Sequence, residues 1–364
     1  MDAVLVPAPK LEALVRDIFI AAGGAPEEAA GIAQHLVGAN LAGHDSHGVA
    51  RVPRYVDWLK QGFVHFGRRP RIVMDGGAFA LLDAEFGFGQ NVAAEATRLG
   101  IERAQAHGAA VIALRHAGHV GRIGHYAEMA LEAGLISLHI VNVAGSTLVA
   151  PFGGAERRFS TAPIAIGAPI EGRPLVLDFA TSLVAEGKVL VASNGGKPLP
   201  PDALVGPDGA LSGDPHMLYG DYPPVGLRNP GNGPGAIRAF GDHKGSGLAL
   251  MCELLAGAFT GGGCAGPGGA GPGGERGRIA NGMLSLYLSP AHFGTAEEFQ
   301  RSAREYADWV ASARPIDPAR PVLLPGEPEA RTRAERLAQG VPLQPDTWAG
   351  LLRTAQALGV MEEA

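Results

Sequence analysis

The run His44-Asp45-Ser46-His47-Gly48 brings two imidazoles, a carboxylate and a hydroxyl together between two helical stretches. If the chain after Gly48 is helical, His47, Arg51 and Arg54 share one face by four- and seven-residue spacing. Val49, Val52, Val56 and Leu59 then share the opposite face, which sends valines to a core and offers a histidine with two guanidiniums to a cleft. A 2-oxo acid asks for such a set, because arginine forks a carboxylate and a nearby imidazole gives or takes the carbonyl proton. Pro53 interrupts the pattern and marks either a kink or the true start of the helix. The plainer alternative makes Asp45 or Ser46 an N-cap and leaves His47 on the surface.

A second cluster, Arg115-His116-Ala117-Gly118-His119-Val120-Gly121-Arg122-Ile123-Gly124-His125, follows the apolar run Ala109 to Leu114. Loops after buried strands commonly bind ligands, and glycines bring backbone N–H groups close to them. A third segment, Leu177-Asp178-Phe179-Ala180-Thr181-Ser182, places an acid and two hydroxyls past another apolar run; an N-cap role is the alternative for Asp178. Asp242-His243-Lys244-Gly245 opens a helix, a place suited to an anion, and Lys244 is one of only five lysines. Leu324-Pro325-Gly326-Glu327-Pro328-Glu329-Ala330-Arg331 is a tight turn into a helix, its glutamates suited to hydroxyls and Arg331 to a phosphate. His44, His47, His116 and His119 support a rival reading, a metal-dependent hydrolase or lyase. No metalloprotease spacing accompanies them. A non-catalytic sensor of a nucleotide or oxo acid is the remaining option. Gly87-Phe88-Gly89 lacks the third glycine and the later acid of a dinucleotide fingerprint, and reads as a loop permitting close backbone approach.

These residues need elements to hold them. The first 64 residues read as helices, from Leu11, Leu14, Val15, Ile18 and Phe19 at helical spacing and from a second start at Pro26. From about Ile72 to Phe179 strands and helices alternate: strands at 78–82, 109–114, 136–143, 164–166 and 175–177, helices at 92–107 and 126–133. The chain is then loop-rich from Lys197 to Gly235. A helix over 244–259 carries Leu248, Cys252, Leu255 and Phe259 on one stripe. Gly261 to Gly277 holds ten glycines and reads as a mobile loop, followed by a strand at 283–288 and a helical remainder. The expected class is α/β, a central mixed sheet flanked by helices from both ends.

Composition bounds the function. The 364 residues are 46% hydrophobic and 18% charged, enough apolar material for a core despite 54 glycines and 28 prolines. A net charge of −6 with scattered basic residues argues against nucleic acid or an anionic membrane as partner. Two cysteines make neither a disulfide framework nor a four-cysteine zinc site. With no signal-peptide pattern and no long apolar run, a cytoplasmic protein is expected.

Taken in order, His44–Gly48 with Pro53-Arg54-Tyr55, Gly121–Gly124, Asp178–Ser182, His243-Lys244-Gly245 and Pro325-Gly326-Glu327 resemble the type-2 malate/L-lactate dehydrogenase family, over roughly residues 10 to 360. The resemblance implies an NAD(P)-dependent oxidoreductase of 2-hydroxy and 2-oxo acids, with a cofactor fold that is not of Rossmann type. It implies His47 as proton donor and acceptor, with His119 competing for that role, and Arg51 on the substrate carboxylate, with Arg54 assisting. Implied cofactor contacts are His47, Gly121, Arg122, Ile123, Leu177, Asp178, Phe179, Ala180, His243, Lys244, Gly282, Pro328, Glu329, Ala330 and Arg331. The cofactor is NAD or NADP, with NAD favoured; Arg122 and Arg331 are the residues suited to a 2′-phosphate. No metal is expected, and a homodimer is. The implied organisation is a helical segment with the catalytic histidine (1–75), a cofactor-binding sheet domain (76–290) and a closing helical segment (291–364). This chain departs from the family in reading Ser160-Thr161-Ala162-Pro163 where many relatives have Gly-Thr-Asn-Pro, and Ser246 where many have an aromatic residue.

Overall fold

In the computed structural model, residues 3–193, 195–223, 228–266 and 278–360 are described. Positions 267–277 of the glycine-rich segment lie outside them. The chain opens with strand β1 (Val4–Val6), then α1 (Ala8–Ala21) and α2 (Pro26–Leu41). Both helices carry proline in the first turn, where a missing N–H costs nothing. Helix α3 spans Val52–Lys60.

The central sheet follows. Its strands are β2 (Arg71–Asp75), β3 (Phe79–Asp83), β4 (Ala109–Ala117), β5 (Ile136–Ala144), β6 (Pro163–Ala168) and β7 (Leu175–Ala180). A seventh strand, β11 (Ala280–Leu288), arrives late in sequence and inserts between β4 and β5, giving the order β2-β3-β4-β11-β5-β6-β7. Only β3 and β4 pair in parallel; their crossover is α4 (Gly89–His107), closed by Gly108 in a left-handed cap. All other neighbours are antiparallel, so the sheet is mixed, as expected, and without the repeated parallel crossovers of a Rossmann fold. Helix α5 (Gly124–Glu132) lies with α4 over a core built from Leu82, Val92, Ile112, Leu114, Tyr126 and Val141.

Between β7 and β11 come α6 (Glu186–Ser193), β8 (Leu204–Val205), β9 (Leu211–Ser212), α7 (His216–Tyr219), β10 (Ala236–Ile237) and α8 (His243–Cys252). The stretch read as loop-rich thus holds a small three-stranded sheet, β10-β8-β9, around Leu204, Leu218, Tyr219 and Ile237. Two-residue strands carry too little alternation to be seen in sequence. The helix expected over 244–259 widens into a π-helix at Glu253–Ala258. That stripe is mostly exposed: Cys252 is buried, but Leu248, Leu255 and Phe259 are exposed.

The end of the chain forms α9 (Pro290–Phe293), α10 (Ala296–Ala311), α11 (Glu327–Gln339), β12 (Val341–Leu343) and α12 (Pro345–Ala357). β12 pairs antiparallel with β1, bringing the segment after α11 back to the one before α1. Leu11, Ile18, Ile32, Leu36, Val49 and Val52 share one core with Val341, Leu343, Leu351 and Ala355.

Candidate active site

The turn that carries His47 is built by Asn40, buried at the end of α2. Its side chain donates to Asp45 (2.6 Å) and accepts from the Val49 amide (2.9 Å), pinning both sides of the turn. Asp45 also receives a forked pair of bonds from Arg336 of α11, at 2.6 and 3.0 Å. The chain makes two short 3₁₀ turns, Asp45–His47 and Val49–Arg51, with Gly48 extended between them. α3 starts only at Val52, with Pro53 in its first turn. The single helical face expected for His47, Arg51 and Arg54 is therefore broken, because Pro53 starts the helix. The valines behave as expected: Val49, Val52 and Val56 are buried. Neither Asp45 nor Ser46 makes a side-chain helix cap.

His47 and His119 stack with ring centroids 5.6 Å apart. His47 Nδ1 meets the Ser46 hydroxyl at 2.9 Å, and His119 Nδ1 meets the Tyr55 hydroxyl at 2.6 Å. Gln90 of α4 donates to the same Tyr55 oxygen (3.1 Å) and to the His119 carbonyl (3.0 Å), fixing the phenol and the loop at once. Each ring keeps a partly open surface, and among the described residues neither Nε2 has a hydrogen-bond partner. Burial holds both imidazoles neutral. It lowers His119 to about 3, with help from Arg51, and it lowers His47 well below its usual range, with His119 and Arg51 adding to the effect.

Arg51 stands beside this pair. Its Nε donates to the Ser46 carbonyl (2.6 Å), and its Nη2 lies 3.3 Å from Glu186. Arg54 lies apart from this contact, 3.9 Å from Asp57. α6 can sit directly on the turn because Gly187 has no side chain; a Cβ there would fall 2.0 Å from that of Ser46.

The remaining motifs gather at β7. The Gly124 amide donates to Asp178 (2.9 Å), the Phe240 amide to the Thr181 carbonyl (3.0 Å), and the Val176 amide to the Pro325 carbonyl (3.3 Å). Glu329 reaches back to His44 at 3.4 Å, and that contact holds its carboxyl below the usual range. Burial pushes the Asp178 carboxyl up against the opposing pull of His44 and Arg122. Asp178 itself lies within β7, away from any helix start, so it is not an N-cap.

Gly121 takes φ +75°, and a Cβ on it would lie 2.3 Å from His35 Nε2, so only glycine fits this bend. Next to it, the Arg122 amide donates to His35 Nε2 (3.0 Å). The Arg122 side chain is only 2% exposed; it binds Glu128 at 2.8 Å and lies 3.6 Å from Asp178. Of the two arginines suited to a 2′-phosphate, Arg122 thus faces inward, whereas Arg331 is exposed. Ile123 is buried in the sheet core, while Leu177, Phe179 and Ala180 retain exposed surface along β7. Pro328 and Ala330 are exposed on the first turn of α11. His243 and Lys244 are exposed at the start of α8, with Phe152 edge-on to His243. Gly282 lies in β11, where a Cβ would strike the Ala256 carbonyl, so the π-helix can rest on the strand.

The four histidines of the metal reading do not converge. His116 is engaged by Asp83 at 3.1 Å and stacks on Phe86, and His44 faces Glu329. Among the described residues, no three His, Cys, Asp or Glu side chains are arranged to hold a metal. No helix among them is long and apolar enough to cross a membrane. Sequence reasoning gave no role to Gln90, Glu186, Asn40 or His35. Tyr55 lies inside the Pro53-Arg54-Tyr55 motif, and its position four residues after Arg51 is the signal the sequence carries.

A family model described as malate/L-lactate dehydrogenase matches residues 6–352. Hydroxycarboxylate dehydrogenase B of Escherichia coli O157:H7 is 39% identical over 357 residues, 98% of this chain and 95% of that protein. An L-lactate dehydrogenase of Cupriavidus necator is 34% identical over 351 residues, 95% of this chain and 96% of that one. The solved malate dehydrogenase of Pyrococcus horikoshii superposes with a TM-score of 0.85 at 29% identity, covering 99% of this chain and 97% of the other. The matches span both the sheet and the histidine turn, and on them the chain belongs to the malate/L-lactate dehydrogenase family.

Proposed function

We propose that this protein catalyses reversible hydride transfer between NAD or NADP and C2 of a small 2-hydroxy or 2-oxo acid, of malate, lactate or aryl-pyruvate type. The observation that carries this reading is the stacked, neutral His47–His119 pair beside Arg51. The donor set around it fits a nicotinamide dinucleotide: Glu329 and Asp178 suit ribose hydroxyls, and Arg331, His243 and Lys244 suit phosphates. Gly121, Ile123, Leu177–Ala180, Gly282 and Pro328–Arg331 form or support the walls of that site, and Arg122 supports it from behind. The bound cofactor supplies or accepts the hydride.

The chain's own groups handle the acid and the proton. Arg51 holds the substrate carboxylate, with Arg54 assisting, and His47 takes the hydroxyl proton in oxidation and returns it in reduction. A neutral imidazole is the form needed to start oxidation. For reduction the ring must be charged, and an arriving carboxylate promotes this by offsetting the Arg51 charge that depresses it. His119, oriented by Tyr55 and Gln90, is the second candidate for the same proton. Within this reading, residues 1–75 bring the catalytic histidine, 76–290 the cofactor sheet and 291–364 the closing segment, in a cytoplasmic enzyme.

The homodimer belongs to the same proposal. Leu250, Met251, Leu254 and Phe259 leave an apolar face on α8 and the π-helix, with Phe259 68% exposed. A second copy is the natural cover for such a patch. Light scattering on Met251→Glu then reports monomer where the unaltered chain reports dimer; a monomeric unaltered chain removes this part of the proposal.

The activity is tested by following absorbance of NADH or NADPH with a panel of 2-oxo acids. Loss of signal with some acids supports the reading and ranks substrates and coenzymes. No loss with any acid, from folded protein, overturns it.

A further inference from the structure

We propose that Glu186 is a specificity-determining residue that turns the site toward 2-oxo and 2-hydroxy acids with one carboxylate and an uncharged tail, and away from dicarboxylates. The inference rests on Arg51 as holder of the substrate carboxylate. Arg51 is not a free cation in this structure: Glu186 Oε2 lies 3.3 Å from its Nη2, and its Nε is spent on the Ser46 carbonyl. Glu186 is fixed in turn. The Tyr219 hydroxyl donates to Oε1 at 2.7 Å, the Glu186 side chain is 16% exposed, and Tyr219 is buried in the core of the small sheet. Gly187, pressed on Ser46, holds the start of α6 against the same turn.

A first carboxylate that reaches Arg51 therefore shares one guanidinium with a carboxylate that cannot swing away. A second carboxylate, a few bonds farther along the same molecule, adds a third anion to that one cation. Arg54 is the other cation of the segment, and it has its own neighbour in Asp57 at 3.9 Å. Like charges about 6 Å apart at a partly buried site weaken binding by roughly 10- to 100-fold. Glu186 thus spares a monocarboxylate, which brings only the charge that Arg51 is there to meet, and penalises a dicarboxylate.

The test compares kcat/KM for DL-malate with that for DL-lactate or DL-phenyllactate, whichever monocarboxylate turns over faster. Glu186→Gln keeps the size and an acceptor for Tyr219. It raises the malate-to-monocarboxylate ratio about 10- to 100-fold, through KM for malate more than through kcat, and Glu186→Asp returns the ratio toward the unaltered value. A ratio unmoved by Glu186→Gln overturns the proposal and leaves Glu186 as a support for Arg51. If Glu186→Gln does not fold, Tyr219→Phe frees the carboxylate without removing its charge and raises the ratio by a smaller factor; an unmoved ratio there also counts against the proposal. Arg51→Ala separates this failure from failure of the underlying reading. Unchanged KM for both acids in that variant removes Arg51 from the substrate, whereas raised KM for both with a flat Glu186→Gln ratio removes only the role of Glu186.

Discussion

Burial acts on His139 and on the His47–His119 pair, and they differ in what is left open. His139 sits in the central sheet, 0% exposed, with Ser285 on Nδ1 at 2.8 Å and Ser137 on Nε2 at 3.1 Å. His47 and His119 are also held neutral, yet each has a partner on Nδ1 alone and keeps part of its surface exposed. Burial lowers the imidazole pKa in both groups, to about 3 for His139 and for His119 alike. A perturbed pKa therefore does not separate the histidines proposed for catalysis from a structural one here. The free ring nitrogen and the neighbouring Arg51 do.

The sharpest way to break this contrast is to remove one member of each group. His47→Ala lowers kcat by about 100- to 10,000-fold, the range of a positioned acid/base, while coenzyme binding by fluorescence titration stays close to normal. Equal turnover in His47→Ala and the unaltered enzyme transfers the role to His119. Arg51→Ala raises KM for the acid by roughly 10- to 100-fold, as the loss of a charge-assisted bond requires. It also moves the acid limb of the pH–rate profile upward, because the cation that depresses both imidazoles is gone. A shift in coenzyme affinity alone rejects the assignment.

His139→Leu has the opposite signature: a loss of about 1–3 kcal/mol in urea unfolding, from stranding two buried serines, with kcat unchanged. A fall in kcat at full stability would erase the distinction between the two groups. The last effect is read per unit of pH. His139 is depressed in the folded chain and near 6.5 when unfolded, so its contribution is complete above pH 6.5. As pH falls from 6.5 toward 3, the unfolded chain takes up a proton that the folded one refuses, and stability drops by about 1.4 kcal/mol per pH unit. His139→Leu flattens that slope by the same amount; an unchanged slope assigns acid sensitivity to other groups.

Much of the sheet was legible because its strands and helices declare themselves locally. The apolar run at Ala109 and the periodic stretch from Val92 became β4 and α4, the helix starting three residues earlier at Gly89. β1 and β12 were not legible: each is three residues long, and each exists only because the other end of the chain comes to meet it. The stripe Leu248–Cys252–Leu255–Phe259 has the period of a core helix and is mostly exposed, since periodicity reports an apolar face without saying what covers it. At the site, motif order singled out His47, Arg51 and His119. The contacts that give them their properties come from Gln90 and Glu186, 35 and 135 residues from their partners Tyr55 and Arg51. No local spacing encodes such meetings.

The pairing of β1 with β12 also sets a schedule for biosynthesis. Arg336 is made 291 residues after the Asp45 that it clamps, and β12, which completes the core beneath α1 and α2, follows it. The histidine turn therefore stays without this support until Arg336 and β12 have been made. Products ending before Arg336 then lack the clamp on that turn, and those ending before Val341 also lack the strand that pairs with β1.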